Sequence, residues 1–234
     1  MAKLVKSTRW RPANPGGGSS GVPVECEETG ECGLAKRAYF YQEILAYRLA
    51  KAVNLNVPEV RLEKFDGKDV AFSISWGEMS FDIPKLKRDY PEEYVSPAME
   101  AGRKQASGLL ALHAWVGNVD DQKDDHVVVR PGIEAYVYEL ASVDFAAAFQ
   151  PGRLAADIAV TGPPMLIDRT YCDKAILDLA VSAIEALTDE KITDIVHGIE
   201  SGILSLDDKK RIVECLIARK GKLRSAFTAA GWLP

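Results

Sequence analysis

The 234-residue sequence contains no apolar run near the roughly 18 residues that a membrane-spanning helix requires. Cysteine is scarce, with Cys26, Cys32, Cys172 and Cys215 only and no Cys-x-x-Cys pair, so a structural zinc site is not expected. Cys26 and Cys32 flank a predicted turn as possible cross-strand neighbours. In a reducing compartment they are expected to be packing thiols rather than a disulfide. Basic charge is short as well: 29 Lys plus Arg stand against 34 Asp plus Glu, for a net charge of −5. Direct nucleic-acid binding, which needs a basic footprint to neutralise phosphates, is therefore not expected. No His-Glu-x-x-His pattern occurs, which leaves zinc-protease chemistry without an anchor. Residues 1–12 carry Lys3, Lys6, Arg9 and Arg11 without an apolar h-region. A secretory signal is not expected, and the compartment expected is the cytoplasm.

What is present is an ordinary globular composition, 47% hydrophobic and 27% charged, long enough to bury a core unaided. A Gly/Ser patch over 14–21 runs into a strand-like segment at 22–27. A turn at 28–30 and a returning strand over 31–38 complete a hairpin. Helical spacing follows over 40–53, with Tyr41, Leu45, Leu49, Ala52 and Val53 on one side and Glu43, Ala46 and Ala50 on the other. Strand alternation returns over 60–76, broken by the turn pair Asp66-Gly67. Ser96-Pro97 signals a helix start, and that helix is predicted to run to Val116. A short β-segment is predicted at 127–129 and 135–140, then amphipathic helices at 175–187, 192–199 and 209–227. The expected fold class is α+β in two lobes: residues 1–80 rich in β-structure with one helix, and residues 81–234 mainly helical.

Four features fall in an informative order: a Gly-rich loop, a strand lysine, a helix glutamate and two separated aspartates. Gly has no Cβ, so the backbone N–H groups of Gly17, Gly18, Ser19 and Ser20 can approach a phosphate closely. The same patch also reads as a flexible tail. Lys36 on a strand with Glu43 on the packed helix is what a nucleotide site uses to hold phosphates and fix the lysine. Taken singly, each is also an ordinary solvated residue. The run Gly117-Asn118-Val119-Asp120-Asp121-Gln122-Lys123-Asp124-Asp125-His126 is consistent with a solvated turn, a metal site or a catalytic loop. Asp144, between Val143 and Phe145, is costly to bury unless paired or bound to a cation. The competing reading is a turn cap.

That order resembles the HipA-like kinases, atypical relatives of protein kinases. The helix Glu43-Ile44-Leu45-Ala46-Tyr47-Arg48-Leu49-Ala50 and its exit Leu55-Asn56-Val57-Pro58-Glu59 resemble the family's "LA…LGLPVPE" stretch. Trp115-Val116-Gly117-Asn118-Val119-Asp120 resembles its "WIGNTD" loop, and Leu216-Ile217-Ala218-Arg219-Lys220 its last "L..RR" helix. The resemblance spans about residues 16–230 and is nearest to the short, stand-alone members. It implies a two-lobed kinase fold that uses ATP and Mg²⁺ to phosphorylate a protein Ser or Thr. Lys36 would contact the α/β-phosphates and Glu43 would anchor it. Asp120 would take the acceptor proton, and Asp144 with Asp125 would hold metal. Residues 75–78, with Trp76 and Glu78, would meet adenine through backbone groups. A bacterial cytoplasmic setting and an antitoxin-like partner are implied as well, and Ser19 and Ser20 become candidates for inhibitory self-phosphorylation.

The sequence departs from the family in its loop, where Asp121, Gln122 and Asp125 replace the usual Arg, His and Asn. Asp125 keeps an oxygen ligand but adds a negative charge, and the crowded carboxylates favour a bound cation or raised pKa values. The spacer after Lys36 is also shorter than the family's. These changes define the alternative, a pseudokinase or nucleotide-binding module without phosphotransfer. A small-molecule or lipid-head-group kinase is a third option. His113 reads as a core or boundary histidine, and His197 as exposed. The cations Lys209, Lys210, Arg211, Arg219, Lys220, Lys222 and Arg224 read as a solvated helix face, with a docking surface for an acidic partner as the competing reading.

Overall fold

The computed structural model describes residues 1–9, 21–38, 40–74, 81–82, 102, 104, 107–118, 127–131, 138–142, 145–149 and 172–234. Its first part is a five-stranded antiparallel sheet in the order β1-β2-β3-β5-β4. The strands are β1 (Leu4–Lys6), β2 (Val22–Cys26), β3 (Cys32–Lys36), β4 (Val60–Phe65) and β5 (Lys68–Ile74). A parallel bridge between Lys3 and Lys64 brings the two outer strands together, so the sheet curls on itself. Its inner face is apolar and forms its own core of Leu4, Val24, Cys26, Ala35, Phe65, Val70 and Phe72. Strand alternation then puts Lys36, Ala71 and Leu62, which lie opposite one another in register, on the outer face. The β4–β5 turn uses Asp66 and Gly67, both at positive φ (50° and 71°), the geometry of a type I′ hairpin.

The helix α1 (Phe40–Ala52) lies on that outer face. It is buried nearly all round, at Gln42, Glu43, Ile44, Leu45, Ala46, Leu49 and Ala50, because the sheet covers one side and the later helices the other. Those helices are α2 (Gly108–Val116), α3 (Lys174–Ala186), α4 (Asp189–His197), α5 (Leu206–Lys220) and α6 (Leu223–Ala229). One continuous core runs from Val60 and Ala71 through α1 to Trp115, Leu177, Ile184, Leu216 and Phe227. Side-chain caps fix the starts of three helices: Asp173 accepts from Ala175 and Ile176, Thr188 from Lys191, and Ser205 from Asp208. A second sheet, β6 (Phe81–Asp82), β7 (Val127–Pro131) and β8 (Tyr138–Ser142), is antiparallel in that order. No helix among the described residues is long and apolar enough to cross a membrane, and all four cysteines are free thiols.

Several sequence expectations need correction. The basic amino-terminal segment contributes β1, a strand that its charge pattern hid. The predicted helix over 209–227 is two helices, broken at Gly221 and Lys222, which turns Leu223 and Phe227 into the core. The second arm of the later β-segment runs on to Ser142, two residues past its predicted end at Leu140, while its predicted start at Ala135 lies outside the described residues. The predicted helix start at Ser96-Pro97 lies outside the described residues.

The basic run is not simply a solvated face either. Lys209, 5% exposed, donates to the carbonyls of His197 and Ile199 at the end of α4. Lys220 donates to Leu187 O (2.8 Å) just past α3 and pairs with Asp189. Arg219, 4% exposed, donates to Ala114 O and Trp115 O in the last turn of α2. Arg224 bridges from α6 to Asp178 and Glu185 on α3. These cations satisfy carbonyls and carboxylates inside the molecule. Lys210, Arg211 and Lys222 remain exposed.

The sheet has one sterically decisive glycine. A Cβ on Gly33 would sit 2.2 Å from Ser73 O and 2.6 Å from the Phe72 ring. Gly33→Ala is expected to lower unfolding free energy by about 1–3 kcal/mol, the usual cost of overpacking. Urea denaturation of the purified variant checks it.

Candidate functional site

The site grows from the sheet register. Lys36 is the last residue of β3, on the face that α1 covers, and its side chain is 8% exposed. Gly21, the last residue of the Gly/Ser patch, lies against Leu34 next to that end of β3. Glu43 comes in the first turn of α1, which begins soon after Lys36, so the two side chains meet across a short connection. Lys36 Nζ stands 2.7 Å from Glu43 Oε1. The shorter spacer therefore still permits the pairing. A buried ammonium and a buried carboxylate each carry a large desolvation cost, and close pairing offsets it.

The same carboxylate oxygen has a second partner. Phe145 N–H donates to Glu43 Oε1 at 3.2 Å. Phe145 directly follows Asp144 in the chain, so the Lys36–Glu43 pair is tied to the segment that carries the second aspartate. A volume of about 10 Å³ lies between Glu43, Tyr47, Val57, Pro58, Val60, Ser73 and Phe145. That is close to the smallest space that holds one water.

The third part is the end of α2, where Asn118 precedes Asp120 by two residues. An α-helix leaves its last four carbonyls without partners inside the helix. Here each is taken. His113 O accepts from Gly117 N and Asn118 N. Ala114 O and Trp115 O accept from Arg219, and Val116 O accepts from Phe149 N at 3.3 Å. Trp115 Nε1 in turn donates to Leu216 O at 2.9 Å. Gly117 adopts φ 68°, the left-handed conformation that ends a helix sharply and suits glycine. The chain thus leaves α2 toward Asp120 from a fixed point.

Of the sequence-predicted site residues, the structure brings Lys36 and Glu43 together. Gly17, Gly18, Ser19, Ser20, Trp76, Glu78, Asp120, Asp125 and Asp144 lie outside the described residues. Among the described residues no group of three His, Cys, Asp or Glu side chains is arranged to hold a metal. Cys172 is no nucleophile candidate, because burial pushes its thiol pKa up despite a hydrogen bond with Ser107. Two participants were not singled out by sequence. The Phe145 backbone N–H has no sequence signature. Arg219 belonged to a conspicuous helix motif, but its burial against the end of α2 depends on tertiary packing.

Comparison with known proteins places this geometry on a kinase fold. No protein-family model matches the sequence, and no curated protein matches it. The structure is similar to that of the Helicobacter pylori proinflammatory kinase CtkA, with a TM-score of 0.62 at 16% identity, covering 94% of this chain and 95% of that one. Weaker likenesses are to HipA of Shewanella oneidensis MR-1, solved with HipB and operator DNA, and to WaaP, solved with acyl carrier protein. The HipA match has a TM-score of 0.45 at 14% identity over 84% of this chain and 60% of that one. The WaaP match has a TM-score of 0.38 at 14% identity over 99% and 86%. The chain has the fold of the CtkA kinase, and at 16% identity the likeness is one of fold.

Removing one partner from a buried ion pair takes close compensation from the charge that remains. Lys36→Met and Glu43→Gln are each expected to cost about 3 kcal/mol of stability, with the double variant losing clearly less than the sum. Guanidinium unfolding of the four proteins measures this coupling.

Proposed function

We propose that this chain is an ATP-dependent kinase that transfers the γ-phosphate to a Ser or Thr hydroxyl of a protein, using Mg²⁺. The observation that carries the reading is the buried Lys36–Glu43 pair, bonded through Glu43 to Phe145 N–H, on a kinase fold. Phosphoryl transfer depends mainly on positioning and charge neutralisation. In this reading Lys36 meets the α/β-phosphates and Glu43 holds its ammonium in place. Backbone N–H groups of Gly17, Gly18, Ser19 and Ser20 line the phosphates, and the backbone about Trp76 and Glu78 meets adenine. Asp120 orients the acceptor hydroxyl and takes its proton. Asp144 and Asp125 supply carboxylate oxygens of the kind Mg²⁺ prefers. When bound, that ion neutralises charge on the phosphate oxygens. The sequence resemblance to HipA-like kinases brings with it a bacterial cytoplasmic setting and a protein substrate or antitoxin-like partner.

A second reading is favoured by one specific feature: Asp121, Gln122 and Asp125 where the HipA-like pattern has Arg, His and Asn. Four carboxylates then crowd between 120 and 125, and the chain would bind nucleotide without transferring phosphate.

Two measurements separate these readings. Saturating Mg·ATP at about a hundred times its Kd adds about 2.7 kcal/mol to stability. For a chain of this size that raises Tm by about 5–10 °C. The Mg²⁺-dependent part is expected to vanish in Asp144→Asn, and no shift in the wild type would sink both readings. Radiolabel transfer from γ-labelled ATP is expected in the wild type, and in Ser19→Ala at sites other than Ser19. It is expected to be lost in Asp120→Ala. Binding without transfer in the wild type selects the second reading. Mass spectrometry of active protein is expected to find phosphate on Ser19 or Ser20, and its absence removes self-modification of the loop.

A further inference from the structure

His113 lies in an otherwise apolar helix, and the sequence offers no reason to read it as more than a core residue. Its surroundings give it a specific task. The side chain is buried, 5% exposed, and its ring makes two different contacts. Nδ1 lies 3.0 Å from Asn118 Nδ2. The ring nitrogen and the Asn118 side-chain amide therefore share a hydrogen bond in the plane of the imidazole. The imidazole plane stacks on Phe145, with ring centroids 5.1 Å apart and 16° between planes. The His113 carbonyl meanwhile accepts the Asn118 backbone N–H at 3.1 Å. Asn118 is therefore held by His113 through both its backbone and its side chain.

We propose that His113 is a positioning residue that couples the loop leading to Asp120 with the segment following Asp144. The inference rests on the kinase reading of those two aspartates, and it names the residue that sets their relative placement. The line of contacts is unbroken. Lys36 meets Glu43 (2.7 Å), Glu43 accepts from Phe145 N (3.2 Å), Phe145 stacks on His113, and His113 is hydrogen-bonded to the Asn118 amide (3.0 Å). Asn118 is two residues from Asp120, and Phe145 is one residue from Asp144. In phosphoryl transfer the acceptor hydroxyl and the metal-bound phosphate must be held in line, and a small misplacement is costly in rate. A histidine suits the junction because it combines a flat face for the phenyl ring with a hydrogen-bonding nitrogen in the ring plane. Leu or Phe offers no such nitrogen, and Asn or Gln offers no ring to stack.

The test uses His113→Phe, which keeps volume and stacking but removes the hydrogen-bonding ring nitrogen, together with Asn118→Ala and the double variant. His113→Phe is expected to fold, with Tm within about 4 °C of wild type. Hydrogen exchange at the amides of 117–126 is expected to quicken about tenfold, while amides of α3 are unchanged. In the transfer assay kcat is expected to fall at least about tenfold with the KM for ATP within about threefold, a split that general destabilisation does not produce. Asn118→Ala is expected to reproduce these changes, and the double variant to add nothing further, because both substitutions remove one contact. Unchanged exchange over 117–126, or an unchanged kcat, overturns the proposal, as do fully additive effects in the double variant. Should His113→Phe not fold, Asn118→Ala reads the same contact from its other end with the same two outcomes. A wild type that transfers no phosphate defeats the kinase reading alone, and the exchange arm still decides whether His113 couples the two segments.

Discussion

One carboxylate oxygen organises this molecule. Glu43 Oε1 receives the Lys36 ammonium from the sheet and the Phe145 N–H from the segment after Asp144. Neither charge is tolerable alone at 4–8% side-chain exposure, so the sheet, α1 and the 145–149 turn must come together for either to be buried. The constraint is directional as well as energetic. A hydrogen bond from a backbone N–H fixes the path of the main chain, which a purely apolar contact does not. The position of α1 is held from its other end by Arg48, whose Nη1 donates to Gly198 O at 3.0 Å beside the end of α4. Thus α1 is pinned to the sheet, to the 145–149 turn and to the helical region at once. Its nearly all-round burial is the packing counterpart of that arrangement.

The helical region solves a different problem, the unsatisfied carbonyls at helix ends. Helix α5 supplies Lys209 to the end of α4, Lys220 to the residue after α3, and Arg219 to the last turn of α2. Each cation lies near the negative end of a helix dipole, and each brings donors where carbonyls would otherwise be buried without partners. Lys209 lies in the first turn of α5 and Arg219 and Lys220 in its last, so α5 fixes three neighbours relative to one another along its length. For α2 the result bears on the site: with His113, Ala114, Trp115 and Val116 carbonyls all engaged, the chain beyond Gly117 starts from a rigid support. Sites built on such supports are more precise than sites on loops alone.

Much of this was legible in sequence, for identifiable reasons. The hairpins announced themselves through alternation and through Asp66-Gly67, a pair whose positive φ values are the local requirement of the turn. Helix α1 was legible because its apolar and small residues recur at helical spacing, and Lys36 and Glu43 were legible as a pair from their order, a strand lysine before a helix glutamate, although the short spacer between them spoke against the pairing. Strand β1 was not, because its pairing with β2 and its bridge to Lys64 are long-range and its three residues carry no alternation of their own. The break at Gly221 was missed because helical periodicity continues through it, and one glycine is tolerated in many helices. The basic residues of α5 misled for a similar reason. Charge at helical spacing states which face a residue occupies, but not whether another helix ends against it.

The likeness to CtkA at 16% identity over 94% of this chain fits this division between pattern and identity. Cores accept many exchanges of apolar side chains if volume and patterning are kept, so the curled sheet and the helices can persist while most residues change. The buried polar contacts are less exchangeable. Replacing Glu43 with an apolar residue would take one acceptor from both Lys36 and the Phe145 N–H, and replacing Arg219 would take the donors from two carbonyls. These are the places where a divergent sequence on this fold must keep its chemistry or change several residues together. Lys36, Glu43 and the exit from α2 could be found from sequence because residue type and order, rather than overall identity, carry the resemblance. It does not by itself specify a phosphate acceptor. Fold fixes where a reaction can occur, and the groups that recognise a substrate are drawn from surfaces and loops that the same constraints leave free to vary.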